Sequence, residues 1–189
     1  MKYVVQLALM ATLAVAPAAA QTAEPAGDPL TAALKRQFDN VSRNVREAAE
    51  KMPEDKFTYQ ATKDVRTFGG FIGHIANAHY MFCSRAKGET NPNKEDFEKT
   101  TGKAALVKAI TAANDYCSAV FTGANDKWML ETVTQQMGGN PMQVPRAAIL
   151  AGTTSHTNES YGSVAVYMRL NGLVPPSTER AQAPRRPTP

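Results

Sequence analysis

Histidine, cysteine and tryptophan are scarce in this chain: three, two and one among 189 residues. Several signatures are missing altogether. There is no glycine-rich phosphate loop, no Cys-x-x-Cys pair and no Glu-x-x-His pair, so P-loop nucleotide hydrolysis, dithiol redox chemistry and a di-iron carboxylate centre all lack their residues. No internal repeat and no strand-period run of useful length is present, which argues against a solenoid and against a sheet-based fold. Long hydrophobic runs are missing too. The longest, Val4 to Val15, is short for a membrane span, and Pro17 interrupts its end.

Charge of one sign is equally lacking where it would matter. The formal net charge is +4, but Lys2 and the excess of Arg180, Arg185 and Arg186 over Glu179 supply three of those four charges. The stretch from Gln21 to Pro176 keeps a single net positive charge, which leaves no basic face for a phosphate backbone and no expected nucleic-acid partner.

The first twenty residues read as a signal peptide: Lys2, an apolar run, then Ala18-Ala19-Ala20 before Gln21 as a small-residue cleavage site. Export to a periplasmic or extracellular location follows as an expectation, with no membrane span after cleavage. Residues 21–27 have the composition of a flexible leader, and 177–189, rich in proline and arginine, that of a disordered tail. One domain over 28–176 remains, long enough for a real core.

Within it, helical periodicity is the main signal. Leu34, Phe38, Val41, Val45, Ala48 and Met52 alternate spacings of four and three behind Asp28, a candidate cap, and Pro29. A second helix runs from Thr67, a candidate cap, to Ala86, with Phe68, Phe71, Ile75, Ala78 and Phe82 inward and His74 beside that stripe. Gly69, Gly70 and Gly73 on this helix imply close approach of another backbone or a ligand. His79 lies about 140° round the helix from His74, so one small ion would not take both; it reads as a hydrogen-bonded core residue. Glu54 to Arg66 and Glu89 to Gly102 read as a long connection and a polar surface loop.

The third helix, Lys103 to Phe121, carries Leu106, Ile110, Ala113, Cys117 and Val120 on one face. In an oxidising compartment Cys83 and Cys117, on neighbouring helices, are expected to form a bridge; two buried thiols acting as small hydrophobes are the alternative. Between Lys127 and Val144, Trp128, Met129, Leu130 and Val133 can cover one end of a bundle, as a lid or as core anchors, and Gly138-Gly139-Asn140-Pro141 is a turn. The last helix starts near Pro145 and ends before Gly172 and Pro175-Pro176, about 27 residues and roughly 40 Å. Ile149, Thr153, His156, Ser160, Val164 and Tyr167 share its inward face.

Two stretches carry a resemblance. His156-Thr157-Asn158-Glu159-Ser160-Tyr161-Gly162 with Tyr167-Met168-Arg169-Leu170-Asn171-Gly172-Leu173-Val174-Pro175-Pro176, and Phe68-Gly69-Gly70-Phe71-Ile72-Gly73-His74, resemble the last and second helices of the DinB/YfiT-like proteins. The resemblance implies an all-α four-helix bundle, often dimeric, with a divalent metal between three histidines. His74 and His156 match the first two ligand positions. Ser160 stands where the third histidine is expected.

Three imidazoles suit Zn²⁺, Ni²⁺ or Fe²⁺ and leave open positions, whereas two imidazoles and a neutral hydroxyl bind weakly. Glu159, about 60° to one side of His156, is a candidate substitute ligand. The cofactor expectation is therefore none, or a weakly bound divalent transition metal. The function read from the chain is an exported bundle whose degenerate metal site lines a small-molecule or partner pocket, with Ser160, Phe71, Ala78 and Tyr167 as lining. The alternative, which the resemblance implies, is a divalent-metal-dependent hydrolase or thiol S-transferase-like enzyme using His74 and His156.

Overall fold

The computed structural model describes residues 27–183; the expected signal peptide, most of the leader and the end of the tail lie outside the described residues. Four long helices make the body: α1 (Pro29–Lys51), α2 (Phe68–Lys87), α3 (Lys103–Thr122) and α5 (Arg146–Leu170). Each of α1 and α2 packs against both α3 and α5, while α1 and α2 themselves barely meet, so they occupy one diagonal of a square bundle. The connection from α1 to α2 therefore crosses the bundle. Among the described residues no helix is long and apolar enough to cross a membrane.

The helix ends follow the expected chemistry at α2 and depart from it at α1. Thr67 Oγ1 accepts from Gly70 N at 2.9 Å, capping α2, and Gly88 in the left-handed region closes it. Asp28 makes no side-chain cap to its own helix. The N-terminus of α1 is instead held by Asp126, whose carboxylate accepts from Leu30 N, Thr31 N and Thr31 Oγ1 at 2.8 to 3.1 Å, while Asp28 Oδ1 accepts from Asp126 N. Asp126 opens α4 (Asp126–Leu130), so this exchange ties the α3–α5 connection to the start of the bundle.

The core is two apolar clusters with a polar layer between them. One gathers Val45, Ile75, Ile110 and Val164; the other gathers Phe38, Cys83, Cys117, Phe121 and Leu150. At the boundary each long helix contributes a polar residue: Ser42, His79, Asn114 and Thr157. Asn114 Nδ2 donates to Ser42 O at 3.1 Å, and His79 Nε2–H donates to Thr157 Oγ1 at 2.9 Å, since that hydroxyl spends its own proton on Thr153 O at 2.7 Å. His79 is fully buried, the core role expected of it. Cys83 and Cys117 form a disulfide between α2 and α3, with Cα atoms 5.5 Å apart.

Two expectations fail. The segment after α4 contains an antiparallel hairpin, β1 (Thr132–Met137) and β2 (Asn140–Pro145), turning on Gly138-Gly139, both at positive φ as a two-residue turn of this kind requires. Its alternation is real but barely apolar: only the cross-strand pair Val133 and Val144 packs on the core, and Gln135 takes the next inward place. Met129 is buried as an anchor and Leu130 is exposed, while Trp128 lies under the Arg146 guanidinium, 4.7 Å from its ring centroid. The second correction concerns the tail. Residues expected to be disordered form α6 (Pro176–Gln182), because Pro176 suits a first helical turn and the helix is stapled back: Tyr161 Oη donates to Ser177 Oγ, and Lys51–Glu179 and Arg180–Glu47 pair across to α1.

Two outcomes follow. Closing a loop of 34 residues stabilises the fold by roughly 3 to 4 kcal/mol, so reduction should lower the melting temperature, and denatured, unreduced protein should show no free thiol. Burial also lowers the His79 imidazole from 6.5 to about 3. Between those values the unfolded chain takes up a proton that the folded one refuses, so stability is complete above pH 6.5 and falls as pH drops. Urea unfolding should lose about 2 to 3 kcal/mol between pH 6.5 and 4.5, and His79→Gln should flatten that slope.

Candidate functional site

Glycine is required at residue 73 because a Cβ there would overlap the backbone of Phe97 and Glu98. The contact seats a 3-10 turn, Phe97–Lys99, on the face of α2. Asn77, one turn further along α2, completes the anchorage: its Oδ1 accepts from Phe97 N at 3.1 Å and its Nδ2 donates to Asp96 Oδ1 at 2.9 Å. A loop expected to be mere surface is thereby locked, with Glu98 directed at His74.

Glu98 Oε1 accepts from His74 Nδ1–H at 2.7 Å and Oε2 accepts from Arg66 Nε–H at 2.8 Å. With its Nδ1–H directed at Glu98, His74 places its other ring nitrogen, Nε2, 3.0 Å from His156 Nε2. Two lone pairs cannot share that gap, so one of the two rings donates across it. His156 Nδ1 is buried and has no hydrogen-bond partner among the described residues. Burial would raise the Glu98 carboxyl, but the hydrogen bonds from Arg66 and His74 hold it below the usual carboxylate range. His156 is lowered from 6.5, first by burial and then by the neighbouring His74, with Glu159 partly opposing. A neutral imidazole at pH 7 is the consequence.

These groups open on a cavity of about 320 Å³ lined by Arg66, Phe71, His74, His156, Glu159, Ser160 and Ser163. Of the residues picked from sequence, five line it. Tyr167 does not: it is buried, meets Phe71 edge-on at 5.6 Å between centroids, and donates through Oη to Arg66 O at 2.8 Å, so it supports the wall from behind. Ala78 is also absent from the lining, because one turn beyond His74 the helix face has already turned into the core. His79 and Trp128 do not line the cavity either. Arg66, Glu98 and Ser163 went unrecognised. Ser163 is seven residues after His156 and could have been found by helical spacing; Arg66 and Glu98 come from connections without periodicity. A cavity of similar size, about 330 Å³, lies over α3 between Glu95, Phe97 and Lys108, but holds no imidazole.

The donor set can be tested against a resident metal. His74 and His156 bring two ring nitrogens together, and Glu98 orients the first ring as a carboxylate does behind a histidine ligand. The third position on the α5 face is the Ser160 hydroxyl, a poor neutral donor for a divalent ion of this class. Among the described residues no group of three or more His, Cys, Asp or Glu side chains is placed to hold a metal ion. This donor set is incomplete for a tightly held metal.

A family model described as the DinB family matches residues 28–186. The fold is similar to a DinB-like protein from Bacillus subtilis, at 20% identity over 74% of this chain and 92% of that one, with a TM-score of 0.60. It is also similar to a DinB-like protein from Bacillus cereus, at 19% identity over 76% and 93% of the two chains, with a TM-score of 0.63. No curated protein matches the chain. At these identities the structural likeness speaks for the fold.

Gly73→Ala should cost about 1 to 3 kcal/mol, the usual penalty for forcing a methyl into a filled contact. It should also pull Glu98 off His74. Urea unfolding reads the first effect, and loss of the hydrogen-bonded imidazole N–H resonance of His74 reads the second. An unchanged resonance would separate the glycine from the site.

Proposed function

The chain belongs to the DinB family, and on that premise we propose that it uses the family bundle as an exported pocket for a small polar molecule rather than as a resident-metal centre. The observation that carries the reading is the Ser160 hydroxyl. It stands on the α5 face beside His156, at the place where the family resemblance expects a third imidazole, and it lines the 320 Å³ cavity. Two imidazoles that already hydrogen-bond each other and a neutral oxygen make a hydrogen-bonding wall. The cavity lies at the lower end of the size range of small-molecule sites, and it combines one aromatic face, Phe71, with convergent polar groups.

Export is part of the proposal. Its support is the signal-like beginning of the sequence together with the Cys83–Cys117 bridge, since disulfides persist in oxidising compartments. Chemistry with cytosolic low-molecular-weight thiols fits such a location poorly. A second reading, a divalent-metal-dependent hydrolase or thiol S-transferase-like enzyme using His74 and His156, is favoured by one specific feature. Glu98 accepts from His74 Nδ1, as a carboxylate does behind a histidine ligand, and leaves Nε2 as the ring nitrogen beside His156.

Calorimetric titration with Zn²⁺ and Ni²⁺ separates the two. Wild-type protein should bind weakly or not at all. Ser160→His places a second nitrogen one turn from His156 and should tighten binding by at least about tenfold, and His74→Ala in that background should remove the gain. Stoichiometric, tight binding by the wild type would replace the pocket reading with the metal one.

A further inference from the structure

The cavity holds unspent charge of both signs. Arg66 commits only Nε to Glu98; its two terminal amino groups have no hydrogen-bond partner among the described residues. Glu159, on α5 in the same lining, is exposed and makes no ion pair and no hydrogen bond among the described residues. The hydroxyls of Ser160 and Ser163 are likewise without protein partners, and Phe71 supplies an apolar ring beside them. A charged side chain left unpaired on a surface is ordinary. Here an acceptor-only carboxylate and a fork of free N–H donors line one small cavity, each available to a ligand group of opposite charge.

We infer that this cavity binds a small amphoteric molecule of the free amino acid class, its carboxylate toward Arg66 and the two serines, its ammonium toward Glu159, and its apolar stem on Phe71. The inference rests on the pocket reading and adds the chemistry of the ligand. Neither ionic group alone satisfies both Arg66 and Glu159. An anion would leave Glu159 facing like charge, and a simple amine would leave the guanidinium fork and both hydroxyls to water. The two imidazoles are bonded to each other in the same lining, and burial lowers the His156 imidazole. The Arg66–Glu98 bond holds the guanidinium in place, so its remaining donors are oriented before a ligand arrives.

The test uses three probes on the purified protein: L-phenylalanine, N-acetyl-L-phenylalanine, which lacks the ammonium, and L-phenylalaninamide, which lacks the carboxylate. Titration calorimetry should give the tightest binding for the amino acid, with each blocked form weaker by at least about tenfold. Glu159→Gln touches no protein partner and should retain the fold; it should abolish the penalty for N-acetylation and keep the penalty for amidation. Arg66→Gln, checked by thermal unfolding because it loses the Glu98 bond, should do the reverse. If it fails to fold, the Glu159→Gln arm decides. Equal binding of the three probes, or no binding of the amino acid at millimolar concentration, overturns the inference. The pocket reading would then stand or fall separately on the Ser160→His metal titration, which uses no amino acid.

Discussion

The site depends on a contact between two backbones. Gly73 lets the Phe97 carbonyl rest on α2 where any side chain would collide, and Asn77 fastens the same turn with two hydrogen bonds. Without that seat Glu98 would belong to a solvated loop. With it, a carboxylate from the α2–α3 connection holds His74 through Nδ1, His74 Nε2 meets His156 Nε2, and Arg66 is bound to the same carboxylate at the cavity. One missing methyl group on a helix therefore reaches, through four side chains, the polarity of a pocket wall formed mainly by another helix.

The bundle behind that wall is organised by a second constraint, its mid-level polar layer. Four helices each place a polar residue between two apolar clusters, and the satisfied pairs, His79 with Thr157 and Asn114 with the Ser42 backbone, favour the register in which these residues meet. Within the distance and angle of an ordinary hydrogen bond, His79 Nδ1 and Asn114 Oδ1 have no partner among the described residues. The layer sits next to the disulfide, which ties α2 to α3: Cys117 Sγ lies 3.2 Å from the His79 carbonyl oxygen.

Most of the helical frame was legible in the sequence because burial repeats at 3.6 residues per turn: the stripes of α1 and α3 and the Thr67 cap of α2 are where the spacing puts them. The failures share a cause. The hairpin alternates correctly but with glutamine and valine inward, so no apolar period of two is visible. The start of α6 hides in a proline-rich tail whose composition says disorder, although Pro176 is at a position that favours a helix start. At the site, His74, His156, Ser160, Phe71 and Glu159 came from motif and spacing, whereas Arg66 and Glu98 lie on connections whose paths depend on Gly73 and on the first turn of α2. Their roles exist only in three dimensions. Tyr167 and Ala78 were placed on the right faces, but face alone does not distinguish lining a cavity from backing it.

We propose that a hydrogen-bonded pocket stands where the family resemblance expects a three-histidine metal centre. Elemental analysis addresses it most directly, on protein purified without a histidine tag from cells grown with ordinary trace metals and then dialysed against metal-free buffer. The account predicts well under one zinc, nickel or iron per chain. One equivalent of a single transition metal retained through dialysis would contradict it.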